Sequence, residues 1–245
     1  MTLFSLREKA ILVGLYLSKF DTKGLCYLGF ENFTEAFNVI GLALNTKPAS
    51  IKNYRDEFDP VFPNKRQGWH KRGMRSYVKE VYDKFHNLNL KDLSNVIKEI
   101  LYKKPEIDLI TEKISGNSSF AKRLLTGLSA ENYFEQNYHK IDIFKEYKIE
   151  NTTKYGCGFD FKLNCQNSLF VAVEVKGLNE NFGNILLTEK EYSVAKILGE
   201  RYFLFVVKNF KEIPFHDIIQ NPLNSNLDFE KHETLVRKIS WICNV

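Results

Sequence analysis

The sequence predicts an α/β (α+β) protein in which an N-terminal helical, helix-turn-helix-like domain precedes an αβββαβ core. Three observations predict that class. Apolar side chains recur at helical spacing through residues 1–113. Small polar residues from Ser115 to Ser119 then interrupt the periodicity, as at an interdomain connection. Beyond them a helical stretch gives way to short β-branched and aromatic runs, a second helix and a strongly apolar strand. The expected domains are therefore 1–113 and 114–245.

Composition bounds the function. With 44% hydrophobic and 27% charged residues, the 245-residue chain can bury a core and is no disordered tail. The N-terminal MTLFSLREKAILVGLYL has Glu8 among its basic residues and no small-residue cleavage site after it, so it reads as a helix of the mature protein. No run approaches the roughly 18 apolar residues of a membrane span, which gives a cytoplasmic protein with no membrane partner as the expectation. Cys26, Cys157, Cys165 and Cys243 form no CxxC pair and the five histidines no HExxH, so buried free thiols and an oxygen-bound metal, if any, are expected. Charge is uneven. Residues 1–86 hold 14 Lys and Arg against 9 Asp and Glu, the remainder 21 against 21, which suits a nucleic-acid-facing N-terminal half as well as a plain solvated basic face.

The elements follow in order. Residues 4–19 read as one helix and Asp21 to Gly29 as a loop. A helix opening at Thr34 puts Ala36, Phe37, Ile40 and Leu44 on one face and breaks at Asn45 to Pro48. The next, Ala49 to Phe58, buries Ile51, Tyr54 and Phe58 and turns Ser50, Lys52, Asn53 and Arg55 outward. Two helices joined by so short a turn match a DNA-reading pair, and also a helical hairpin with no ligand. The segment PNKRQGWHKRGMR favours DNA, because Lys65, Arg66, Lys71, Arg72 and Arg75 surround Trp69 as a phosphate-gripping loop would require. Residues 74–113 supply packing helices. After the break come a helix over Ala130 to His139 and strands over Ile141 to Ile149, Gly158 to Leu163 and Leu169 to Lys176. A helix from Thr188 to Leu198 and a buried strand from Arg201 to Val207 complete the core.

The chemistry concentrates in LFVAVEVKG. Glu174 and Lys176 stand two residues apart on one strand, so their side chains leave the same face. Asp160, in GFDF on the neighbouring strand, comes beside Glu174 across the hairpin. Two carboxylates suit a hard divalent cation that also holds a substrate phosphate, and a lysine beside them can orient water or neutralise phosphoryl charge. Phosphodiester hydrolysis is the expected reaction. Thr188 and Glu191 are accounted for by a capping box and stay outside the expected site, and Lys196 reads as an exposed helical lysine. The glycines of YGCGF relieve crowding at a strand start.

At these residues the chain resembles the PD-(D/E)XK nuclease superfamily, with Asp160 as the first acid and Glu174-Val175-Lys176 as the (D/E)XK element; Phe159 replaces the proline of the motif's name. Over the last half of the chain, the segments GFDF, EVKG, LTEKEYSVA and YFLFVV are similar to the NO VEIN type C-terminal domain. The resemblance implies a restriction-endonuclease-like core that binds one or two Mg2+ ions through Asp160, Glu174 and Val175. It also implies an acid on the preceding helix, for which Glu131 is favoured over Glu135. Joined to a helical reader of double-stranded DNA, such a core is similar to a type II restriction endonuclease. That likeness implies 5′-phosphate products, a homodimer with one core per strand, and a cognate DNA methyltransferase. The alternatives are a modification-dependent or repair nuclease of the same superfamily, and a DNA-binding regulator that uses the fold for assembly.

Overall fold

Helix α1 (Leu6–Tyr27) starts at a reciprocal capping box, in which Ser5 and Glu8 satisfy each other's main-chain N–H groups. The computed structural model describes residues 4–101, 118–165 and 169–233, together with Trp241 and Cys243. The expected loop from Asp21 onward is instead a continuation of α1 past a break at Asp21, where φ is 49° and ψ −135°. Two tertiary contacts hold that continuation. Arg66 reaches the Asp21 carboxylate at 2.6 Å, and the Tyr16 hydroxyl donates to the Gly24 carbonyl at 3.1 Å.

Helices α2 (Phe33–Ala43) and α3 (Pro48–Phe58) follow the predicted boundaries closely, because Asn32 caps the first and Pro48 opens the second. Helices α4 (Ser76–Phe85) and α5 (Leu90–Leu101) pack beside α1. Of the Ser115 to Ser119 stretch, residues 115–117 lie outside the described residues, and Ser118 already opens helix α6 (Ser118–Asn137).

The sheet has the order β1 (Lys148–Asn151), β2 (Phe161–Asn164), β3 (Val171–Gly177), β4 (Tyr202–Lys208), β5 (Phe215–Gln220). Among the described strands only β3 and β4 run parallel, and the connection between them carries helix α7 (Glu189–Leu198). From α6 to β4 this is the predicted αβββαβ order. Two strands differ from expectation. Most of Ile141 to Ile149 is turn, with Phe144 N–H bonded to the Ile141 carbonyl and Tyr147 N–H to that of Phe144, so β1 begins only at Lys148. Strand β5 was not legible, because at the sheet edge its side chains are only half buried and follow no alternation.

One apolar cluster runs from α1 to β4, joining Leu12, Ile40 and Phe58 to Phe134, Phe161 and Phe205. Helix α2 lies in the seam. Ser129 donates to the Val39 carbonyl at 2.7 Å, Asn132 to that of Leu42 at 2.8 Å, and Asn38 to the carbonyls of Phe210 and Glu212 at 2.8 and 2.7 Å. The buried Glu35 carboxylate meets Lys122 at 2.6 Å. The cysteines do not fill this core as expected: Cys26, Cys165 and Cys243 are exposed and Cys157 is half-buried. Cys26 lies in the last turn of α1 and Cys157 and Cys165 in loops flanking β2, outside the faces that pack.

Candidate active site

Sheet pairing places the first two residues of the site. Phe161 pairs with Val173 at the end of the antiparallel β2–β3 ladder, and Asp160, the residue just before it, brings its charge beside Glu174, the residue just after Val173. The Asp160 main chain leaves the regular ladder here: its N–H donates to the Val173 carbonyl at 3.1 Å, one residue off register, while its carbonyl accepts the Thr152 N–H on the β1 side at 2.8 Å. Its carboxylate turns along the strand and accepts the Val175 N–H at Oδ2, 2.9 Å away. In a strand the N–H and C=O of one residue lie on the same edge, so the Val175 carbonyl also looks past the end of β2 toward Asp160. Two glycines make room. Gly158 has φ 91°, and a Cβ there would lie 2.8 Å from Val194 Cγ2; a Cβ on Gly177 would lie 2.7 Å from the Thr126 carbonyl. They let α7 and α6 close on the two faces of the sheet beside the site.

Those faces differ in chemistry. Val171, Val173 and Val175 point into the main core under α6, whereas Ala172 packs with Ala195 and Tyr202 under α7. Glu174 and Lys176 share the α7 side, and Glu174 is only 3% exposed. Lys176 Nζ lies 2.5 Å from Glu174 Oε1 and 2.8 Å from Glu191 Oε2. Burial, reinforced by the Asp160 charge, pushes the Glu174 carboxyl up to about 8 despite the lysine beside it. Burial also disfavours the charged form of Lys176, but Glu174 and Glu191 outweigh it and raise that ammonium above its ordinary value.

Asp160, Val175, Glu174 and Lys176 are thus brought together as the sequence predicts. Glu191 joins them, contrary to expectation. Thr188 and Glu191 do form the predicted capping box, yet the same Glu191 oxygen that accepts the Thr188 N–H also meets Lys176. A cap accounts for a glutamate at this position so completely that the sequence carries no second signal. Glu131 is half-buried on α6, the helix over the opposite face, and Glu135 is exposed on the same helix. Lys196 is exposed, as expected.

The predicted DNA-reading face of α3 is only partly outward. Lys52 and Asn53 are exposed and Ser50 is half-buried. Arg55 is a correction, being 8% exposed, 2.6 Å from the Asp56 carboxylate, and set over the rings of Phe33 and Phe37. Its position one turn beyond Ile51 carries it into the seam between α2 and α3. The basic loop divides similarly. Arg66 is held by Asp59 at 2.9 Å and by Asp21, and Arg75 by Glu57 at 2.5 Å, so both brace the loop instead of presenting a charge to phosphate. Lys65, Lys71 and Arg72 remain exposed, with the Arg72 guanidinium 3.8 Å above the Trp69 ring. Trp69, Lys71 and Arg72, with Gly68 and His70, line an open depression of about 400 Å³.

The donor set fits a hard cation. Among the described residues no three His, Cys, Asp or Glu side chains cluster closely enough to enclose a metal by themselves. Two carboxylates and a main-chain carbonyl do suit magnesium, which keeps several waters and takes few protein ligands.

Residues 130–219, a little over a third of the chain, match the family described as Protein NO VEIN, C-terminal, a domain associated with the PD-(D/E)XK nuclease-like superfamily. Asp160, Glu174, Lys176 and Glu191 all fall inside that match. No curated protein and no solved structure matches the chain. Among the described residues no helix is long and apolar enough to cross a membrane.

Proposed function

We propose that this chain is a magnesium-dependent endonuclease that hydrolyses phosphodiester bonds of double-stranded DNA at specific sites, in the manner of a type II restriction enzyme. One observation carries the reading: a buried Glu174 stands beside Asp160 with the Lys176 ammonium at its side, on a sheet of αβββαβ order. The likeness of residues 130–219 to a nuclease-associated domain supports it.

Asp160 and Glu174 would hold the cation, with the Val175 carbonyl as a further oxygen. A bound magnesium ion supplies Lewis acidity, polarising the phosphoryl group and making water easier to deprotonate. The chain supplies the remainder. Lys176 places a fixed positive charge where the phosphoryl oxygens gain negative charge, and the surrounding apolar faces keep that interaction in a medium of low dielectric. Lys65, Lys71 and Arg72 would bind phosphates, Trp69 would rest on sugar or base, and Lys52 and Asn53 would approach base edges from α3. Products with 5′-phosphates, a homodimer and a protecting methyltransferase belong to the same proposal.

The test is digestion of unmodified and modified phage DNA by the full-length protein with Mg2+ and with EDTA, followed by sequencing of the fragment ends. Discrete fragments with 5′-phosphate ends, from unmodified DNA and only with the metal, are expected. Cutting confined to modified DNA would assign the modification-dependent alternative. DNA binding without cleavage in either Mg2+ or Mn2+ would assign the regulator.

A further inference from the structure

The Lys176 ammonium has three N–H bonds to direct, and two of them meet carboxylates from different elements. Glu174 comes from the same strand, whereas Glu191 comes from the first turn of α7, across the connection that follows β3. The Glu191 carboxylate is fixed before it reaches the lysine. Its Oε2 accepts the Thr188 N–H at 2.9 Å, and Thr188 Oγ1 accepts the Glu191 N–H at 3.3 Å. The Lys176 and Glu191 side chains are 20% and 17% exposed, so this pair differs from the solvated surface pairs that contribute little.

The geometry points to Glu191 as the positioning residue for Lys176, a role that rests on the nuclease reading above. With Glu174 as sole partner, the ammonium would settle on the carboxylate that a cation needs and would compete with it there. Glu191 gives Lys176 a second carboxylate, which would keep the lysine in place were Glu174 to share its charge with a cation. The third N–H is then left for substrate. The helix cap and the site thus share one oxygen atom, which ties the start of α7 to the position of the ammonium.

Two substitutions separate the cap from the charge. Glu191→Gln keeps an amide oxygen that can accept the Thr188 N–H but removes the charge facing Lys176. Thr188→Val removes the capping hydroxyl and keeps the carboxylate. In single-turnover cleavage of plasmid DNA by the full-length protein, Glu191→Gln should cut about 10- to 100-fold more slowly, the usual scale for losing a group that orients a site residue, and should need more Mg2+. Thr188→Val should melt at a lower temperature yet cut within a few-fold of the parent. A second readout needs neither DNA nor metal: acetylation of Lys176 by acetic anhydride, followed by mass spectrometry, should accelerate in Glu191→Gln and not in Thr188→Val. If the two variants move cleavage and labelling alike, or if Glu191→Gln matches the parent in both, Glu191 is a cap alone and the inference is overturned. If the parent cuts no DNA, the nuclease reading fails by itself, and the labelling comparison still decides whether Glu191 holds the lysine.

Discussion

Asp160 accepts the Val175 main-chain N–H at Oδ2, 2.9 Å away, and so fastens the residue before β2 to the strand that carries Glu174 and Lys176. A carboxylate in this position has both a structural and a chemical task. Asp160→Asn retains an oxygen that can accept the N–H but loses the charge, whereas Asp160→Ala loses both. Both variants should abolish cleavage and leave DNA affinity largely unchanged, since on the proposed reading Asp160 and Glu174 would hold the metal and not the target. Only Asp160→Ala should also lose stability, by about 1 kcal/mol, the net worth of a typical hydrogen bond. Cleavage assays, binding titrations and thermal melts check this; normal cutting by either variant at saturating Mg2+ would remove Asp160 from the site.

The buried carboxyl of Glu174 makes stability depend on pH. Its value in the fold is raised from 4.5 to about 8, so its stabilising contribution is complete below about pH 4.5 and is lost as pH rises through about 8. Glu174→Gln should remove that loss. Without metal the variant should be more stable than the parent at pH 9, by a few kcal/mol on the order of the shift, and nearly equal to it at pH 5. Mg2+ at pH 8 should raise the melting temperature of the parent and not of the variant, because only a species that binds the folded state stabilises it. Parallel pH–stability curves for the two proteins would show that Glu174 ionises normally.

Lys176→Ala should lower the single-turnover cleavage rate at least about a hundredfold, the usual scale for a positioned electrostatic group. The loss should persist at high Mg2+ if the ammonium acts on the phosphoryl group. A rate within a few-fold of the parent would make Lys176 a structural counter-ion of the two glutamates.

The basic loop and α3 should divide into residues that touch DNA and residues that hold the fold. Lys71→Ala and Arg72→Ala should weaken binding to all duplexes and flatten the salt dependence by about one unit per lost phosphate contact. Asn53→Ala should cost about 1 to 3 kcal/mol of discrimination between cognate and scrambled sites. Arg55→Ala should instead destabilise the protein, by about 2 to 3 kcal/mol, because it removes a buried guanidinium that bonds the Asp56 carboxylate and covers the faces of Phe33 and Phe37. Salt titrations and denaturant melts distinguish the two groups. A stable Arg55→Ala protein with relaxed specificity would return this side chain to the DNA face.

The sequence by itself determined the helical first half, the αβββαβ order and the trio Asp160, Glu174 and Lys176. Each of these depends on local rules: helical periodicity, the capping box of Thr188 and Glu191, and the two-residue repeat that puts Glu174 and Lys176 on one face. Tertiary structure decided what depends on contacts between distant segments. Arg55 and Arg66 look like any exposed cations in the sequence until Asp56, Phe33 and Phe37 surround the first and Asp21 and Asp59 claim the second. The last turns of α1 survive the break at Asp21 because Tyr16 and Arg66 hold them, and β5 forms because β4 offers it a free edge despite its own weak pattern. Glu191 shows the division most sharply. Its cap is a local contact three residues long, and local chemistry is written in sequence; its contact with Lys176 spans 15 positions and exists only once α7 has docked on the sheet.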